Sequence, residues 1–141
     1  MSKKFFAFAD VVITEILPQK IQVQIMNSYL EKLNSEVIFY STENHLTFKN
    51  HSILKAKLNE DTKIKGFVFY SLLQFCYSRK IDFNLLEKIT KKYECIFIRE
   101  NLRIKNNQDL KKNMIGLKQF PFTHNELITN LKKNYLKILN K

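Results

Sequence analysis

The chain has 141 residues, 45% of them hydrophobic, and 24 Lys and Arg against 13 Asp and Glu give a formal net charge of +11. That length fits one domain able to bury roughly two-thirds of its unfolded surface, and the apolar content excludes a disordered chain. With only two glycines and two cysteines, the sequence has no Gly-rich phosphate loop, no dinucleotide-binding fingerprint and no disulfide framework.

In chain order, Lys3 to Ala9 reads as a short buried strand rich in Phe. Val11 to Ile16 either extends it or forms a loop. Pro18 suits the first turn of a helix, where its missing N–H costs nothing. Ile21, Ile25, Tyr29 and Leu33 then recur at four-residue steps beside Met26 and Leu30, which predicts an amphipathic helix. Glu36 to Tyr40 is a second strand, and Ser41 to Asn50 is a polar loop. His51 to Asn59 is a second helix marked by Ile53, Leu54 and Leu58. Ile64 to Tyr70 is apolar nearly throughout, as a central strand covered on both faces must be.

Ser71 to Lys80 reads as a loop or short turn. Asp82 is an N-cap for a third helix through Phe83, Leu86, Ile89 and Tyr93, and Glu94 to Arg99 is the fourth strand. Gln108 to Met114 forms a short helix, and Gly116 to Phe122 a connector. Thr123 and Glu126 make a capping box for a last helix carrying Leu127, Leu131, Tyr135 and Ile138. Strands alternating with helices predict an α/β fold of three layers. Its sheet would be mostly parallel and four-stranded, flanked by helices, with an extra C-terminal helix. Residues 1–114 form the α/β domain. Residues 115–141 either belong to it or supply a homodimer contact through the last helix.

The charge comes from 21 Lys and only three Arg (Arg79, Arg99 and Arg103), beside 14 Asn and 15 Ile. Lys, Asn and Ile share A/T-rich codons, so the imbalance reads as genome composition. The lysines are scattered, whereas recognition of phosphates and base edges favours arginine's bidentate fork. Nucleic acid is therefore disfavoured as a partner. No run reaches the length of a membrane-spanning helix. Asp10 interrupts the apolar start before a signal-peptide core develops. The expectation is a cytoplasmic protein with no membrane span and with Cys76 and Cys95 as buried thiols.

In open α/β sheets, ligands bind beyond the carboxyl ends of the strands. That rule selects Asp10 to Thr14, Ser41 to His45, Ser71 to Arg79 and Arg99 to Arg103. The polar candidates are Asp10, Thr14, Glu43, His45, Ser71, Gln74, Arg79, Glu100 and Arg103. Glu43 and Glu100 each follow a strand and could work as an acid/base pair in one cleft; as readily, each is a solvated loop carboxylate. Ser71, directly after the central strand, is a candidate nucleophile or a capping hydroxyl. Arg79 is an anion clamp or a surface cation. Gln22, among apolar neighbours on the first helix, is placed to bind backbone at the helix–sheet junction. His45, His51 and His124 have no metal-ligand spacing, and no cofactor is implied.

Leu17 to Gln22 (LPQKIQ) leads to Tyr29, followed by Ser41 to Asn44 (STEN), Gly66 to Phe75 (GFVFYSLLQF) and Arg99 to Ile104 (RENLRI). In order and spacing these segments resemble the bacterial sporadic carbohydrate cluster proteins, found among surface-polysaccharide and lipopolysaccharide biosynthesis genes. The likeness covers about residues 3–114. It implies a pathway rather than a reaction, with a sugar-nucleotide, a polyprenyl-linked intermediate or a pathway enzyme as partner, and it puts Gln22 and Tyr29 among the ligand-binding candidates. The family tends to follow the helix-one glutamine with Asn and to carry an Arg-Asp-Tyr-Cys string. Here Val23 follows Gln22, and the string reads Asn27-Ser28-Tyr29-Leu30.

The layout also resembles the catalytic domain of serine recombinases. It shares an N-terminal strand, a Gln-bearing helix ending near a Tyr, a central strand with a polar loop, and a strand leading to Glu100. Recombinase chemistry needs a serine after strand one and flanking arginines. Strand one here ends Phe8-Ala9-Asp10-Val11-Val12, and the later loop reads Ser71-Leu72-Leu73-Gln74-Phe75. The resemblance implies a resolvase-like fold without strand exchange. The readings in order are an accessory binding protein of surface-carbohydrate biosynthesis, a small sugar-directed enzyme using Glu43, Glu100 or Ser71, and a non-specific DNA-binding relic.

Overall fold

The computed structural model describes residues 2–44, 50–60, 63–77, 80–118, 129 and 132–133. Its elements are β1 (Lys3–Ala9), α1 (Gln19–Lys32), β2 (Ser35–Thr42), α2 (Ser52–Leu58) and β3 (Gly66–Phe69). They continue with the short strands β4 (Cys76–Tyr77) and β5 (Lys80–Ile81), then α3 (Phe83–Thr90), β6 (Glu94–Phe97), β7 (Leu102–Ile104) and α4 (Asn107–Lys118). Single turns of 3-10 helix follow β1 at Val11–Ile13 and β3 at Leu72–Phe75.

The main sheet has five strands in the order β2-β1-β3-β6-β7. The first four are mutually parallel, and β7 runs antiparallel to β6. The α/β class and the mostly parallel sheet match the sequence expectation; the four-strand count does not. The fifth strand is only three residues long, too short to show a period of two. It is set up by Asn101, whose φ of 50° turns the chain straight back from β6. Asparagine tolerates that left-handed conformation better than most residues. Arg103 thereby moves from the expected strand-end loop into a strand.

Alternation along β1 sorts the core into two sides. Phe6 and Phe8 join Phe67, Phe69, Cys95 and Phe97 beneath Leu54 of α2, Leu85, Leu86 and Ile89 of α3 and Leu110 of α4. Phe5, Ala7 and Ala9 face the other way with Val68 and Ile96, under Met26 and Leu30 of α1. Helices on both faces of one sheet make the three layers. In-register Phe8, Phe69 and Phe97 stack across β1, β3 and β6 at 5.9 and 5.4 Å. Those ring pairs add to the area they bury. A bulge between β1 and β2 pairs Phe5 with Val37 but Phe6 with Phe39. Ile38 is skipped and stands 47% exposed on the edge strand.

Local signals set several boundaries. Asp82 caps α3 by accepting from Leu85 N–H at 3.1 Å, as its position predicts. Gly66 lets β3 and β6 close: a Cβ there would sit 2.0 Å from the Glu94 carbonyl oxygen. Within the stretch expected as a loop or short turn, Leu72–Phe75 form the 3-10 turn, and Cys76–Tyr77 then pair with Lys80–Ile81 as the unforeseen β4–β5 ladder. Helix α4 runs to Lys118 and includes Gly116, so the boundary expected at 114/115 falls inside a helix. The capping box at Thr123 and Glu126, and Leu127, Leu131, Tyr135 and Ile138, lie outside the described residues. Among the described residues no helix is long and apolar enough to cross a membrane.

Candidate functional site

Strand β2 lies on one side of β1 and β3 on the other, so the connections leaving β1 and β2 diverge. The carboxyl ends of β1 and β3 are therefore the switch point where an open α/β sheet leaves a crevice. A narrow cleft lies there, with a cavity volume of about 20 Å3, room for about one water molecule, behind an open mouth. Among the described residues its apolar wall includes Phe8, Val11, Val12 and Phe69, and its polar lining is Asp10, Glu43, His51 and Gln74. Asp10, Glu43 and Gln74 were selected from sequence by the strand-end rule; His51 was not.

Each polar side chain is oriented by backbone. Asp10 is buried, and its carboxylate accepts from Val12 N–H at 3.0 Å, capping the turn after β1. Glu43 is buried at the end of β2. Its oxygens accept from Ile53 N–H at 2.8 and 3.1 Å and from Leu54 N–H at 3.1 Å. These are first-turn amides of α2 that lack intrahelical acceptors, and a carboxylate suits that end of a helix. Gln74 accepts from Ser71 N–H at 3.0 Å and donates to the Phe8 and Ala9 carbonyls at 3.2 and 3.3 Å, tying the β3 turn to the end of β1.

His51 precedes α2 with a left-handed φ of 51°. Its ring stacks on Phe75 at 4.8 Å. Burial pulls its pKa down from 6.5 to about 4, opposed by the charge of Asp82 and helped by Lys55. At neutral pH the imidazole is uncharged. The sequence offered one signal for it, a histidine at the start of a helix beside a strand end. Metal-ligand spacing does not find it, because its ring contact is with Phe75, 24 residues on.

Ser71 and Glu100 come together beside this cleft. Ser71 Oγ donates to Glu100 at 2.8 Å and accepts from Leu73 N–H at 3.1 Å, and Glu100 also accepts from Leu72 N–H at 2.8 Å. Arg99 pairs with Glu100 at 3.2 Å. Ser71 is fully buried and completes a capping box with Gln74. Glu43 and Glu100 are thus turned toward the amide groups of two different elements. Neighbouring Cys76 is pushed up to about 12 by burial and by Glu100, which leaves it a protonated thiol.

The remaining candidates spread over the molecule. Gln22 is fully buried; it accepts from Asp10 N–H at 2.6 Å and donates to the Asp10 and Leu17 carbonyls at 3.0 and 2.9 Å. That is the helix–sheet junction role expected of it. Thr14 donates to the Val11 carbonyl at 3.0 Å. Tyr29 donates to Asn101 at 3.2 Å and borders a separate shallow groove with Ile21, Ile25 and Ile98. Arg103 pairs with buried Glu94, and that hydrogen bond raises its pKa. Arg79 and His45 lie outside the described residues. Among the described residues no group of three His, Cys, Asp or Glu could hold a metal ion.

Comparison with known proteins returns no matching family model, no matching curated protein and no matching solved structure.

Proposed function

We propose that this chain is an accessory binding protein of bacterial surface-carbohydrate biosynthesis, on a resolvase-like scaffold without recombinase chemistry, and that the switch-point cleft is its ligand site. The observation that carries the reading is the lining of that cleft. It lies where the sheet topology opens a crevice, and its polar groups are held in fixed orientations by backbone hydrogen bonds. Such groups are ready to recognise a ligand without reorganising. The pathway rests on the sequence resemblance, and the scaffold on strand–helix alternation with the Gln-bearing first helix.

The enzyme reading ranks second. Ser71 serves as a buried turn cap, and Glu43 and Glu100 are engaged by amides of separate elements. His51, with a pKa near 4, is a weak base at neutral pH.

The test is calorimetric titration of the full chain with a panel of nucleotide sugars and glycosides. We expect heat with at least one, abolished by Val12→Trp, which fills the cleft mouth. Flat heats across the panel, with no pathway enzyme retained on the immobilised wild-type chain, would overturn the reading.

A further inference from the structure

We infer that the exposed face of α1 is a self-association surface, on which a second copy of this chain packs antiparallel about a two-fold axis near Ile25. The inference is independent of the cleft reading. Phe8 and Leu54 of the cleft lie on the α2 side of the sheet and α1 covers the other side, so pairing through α1 leaves the cleft open. The first ground is the pattern on the helix. Gln22, Met26 and Leu30 are its buried stripe, and Ile21 and Ile25, one turn apart, stand exposed. Single exposed apolar residues are ordinary, whereas contiguous apolar surface marks an interaction site. These two isoleucines continue into a groove of about 330 Å3 whose lining includes Ser28, Tyr29 and Ile98. A two-fold contact needs a patch that complements itself. A ridge beside a hollow does so, because each copy's isoleucines enter the other's groove. With the axis at Ile25, Ile21 of each copy meets Tyr29 of the other.

The second ground is charge, which selects a second copy as the occupant and sets its direction. Lys20 and Glu31 are exposed near the two ends of α1. About three turns, or about 16 Å, separate them, and at about 100° per residue they lie within about 20° of one line along the helix. That line flanks the isoleucine stripe. Among the described residues neither side chain makes an ion pair. Antiparallel pairing brings Lys20 of each copy against Glu31 of the other, giving two ion pairs at once, and it also opposes the two helix dipoles. Parallel pairing would set lysine against lysine and glutamate against glutamate. An exposed pair contributes little alone, but complementary charges fix register and reject wrong partners. Lys32, at the end of the stripe, falls opposite Pro18 of the second copy, where its stem covers apolar surface and its ammonium stays in water.

The experiment is sedimentation equilibrium of the full chain from about 1 to about 500 μM, a range that spans weak homodimers. We expect a monomer–dimer equilibrium with its midpoint roughly in the tens of micromolar. Lys20→Glu and Glu31→Lys, each made alone, place like charges at both contacts and should weaken association at least about tenfold. Both positions are exposed, so the circular dichroism spectrum and thermal midpoint of each variant should match wild type. The decisive sample is an equimolar mixture of the two single variants. Every contact in the mixed dimer again joins opposite charges, so the mixture should associate about as tightly as wild type, whatever small cost either substitution has for the fold. A wild-type chain that stays monomeric to about 500 μM, single variants that associate like wild type, or a mixture no tighter than its components would each overturn the inference.

Discussion

Removing Gln22 should cost this fold more than any other single polar deletion on α1. The side chain spans from the helix to the end of β1 and serves three backbone groups at once: Asp10 N–H, Asp10 C=O and Leu17 C=O. Gln22→Ala strips Asp10 N–H of this acceptor at a residue only 1% exposed. An abandoned buried donor costs about 1–3 kcal/mol. The two carbonyls lose a donor, and the truncated side chain leaves a gap under α1, adding about 1 kcal/mol or more. The expected total is about 3–4 kcal/mol, a large share of the roughly 5–15 kcal/mol that holds an average domain together. Gln22→Leu separates the terms, since it refills the gap and restores no hydrogen bond. It should recover only about 1 kcal/mol of the loss. Urea denaturation followed by circular dichroism gives both values, with an unchanged slope showing that the same surface is exposed on unfolding. A cost below about 1 kcal/mol for Gln22→Ala, or wild-type stability in Gln22→Leu, would refute the reasoning.

Three further outcomes follow from the site and the sheet. His51 is held neutral with a folded pKa of about 4 against 6.5 unfolded, so the unfolded chain binds the extra proton between those values. Its contribution of about 3 kcal/mol is complete above pH 6.5 and is lost as the pH falls toward 4. His51→Asn keeps a residue suited to the left-handed backbone, and should flatten the stability difference between pH 7 and pH 4, measured as wild type minus variant. Ser71→Ala removes the hydroxyl between Glu100 and Leu73 N–H and should cost about 2 kcal/mol in denaturant titrations; a neutral result would contradict the capping role. Gly66→Ala drives a methyl group to 2.0 Å from the Glu94 carbonyl oxygen. It should cost about 3 kcal/mol or more by prying β3 from β6, and a thermal midpoint equal to wild type would count against that close approach.

Features specified within a few residues were legible in the sequence. Asp82 caps the helix that begins immediately after it. The four-residue spacing of Ile21, Ile25 and Tyr29 marked α1, although Ile21 and Ile25 stand 40% and 37% exposed and the buried stripe is Gln22, Met26 and Leu30. The apolar run through Phe67, Val68 and Phe69 marked the central strand, and all three are buried. Contacts distant in sequence escaped. Strand β7 exists because Leu102 to Ile104 meets β6, and three residues cannot announce that. Ile38 is the middle residue of the strand expected at Glu36 to Tyr40, and it is the bulged residue. Buried His51 stacks on Phe75, far along the chain. The strand-end rule found the cleft's neighbourhood because it depends on topology, which the alternation of elements already implied. It could not say which polar groups would be absorbed by capping, because Glu43 meets α2 ten residues downstream.

That absorption has a physical cause, visible in how the chain turns. With two glycines in 141 residues, it cannot rely on glycine for left-handed corners. Asn34, His51 and Asn101 take them instead, at φ of 54°, 51° and 50°. Asparagine is the commonest non-glycine residue there because its short polar side chain bonds locally. For the same reason strand ends and helix starts are closed by long polar side chains, Gln22, Glu43, Gln74 and Glu100, reaching backbone groups that a glycine turn would leave to other backbone. Asn34 tests this economy cleanly because it is exposed at the end of α1. Asn34→Gly should change stability by no more than a few tenths of a kcal/mol, since glycine enters the left-handed region freely. Asn34→Val should cost about 1–2 kcal/mol, the penalty a Cβ-branched residue meets at that φ. Equal stability of the two variants by thermal denaturation would show that the corner relaxes out of the left-handed conformation. The glycine-poor explanation for the captured strand-end polar groups would then fail with it.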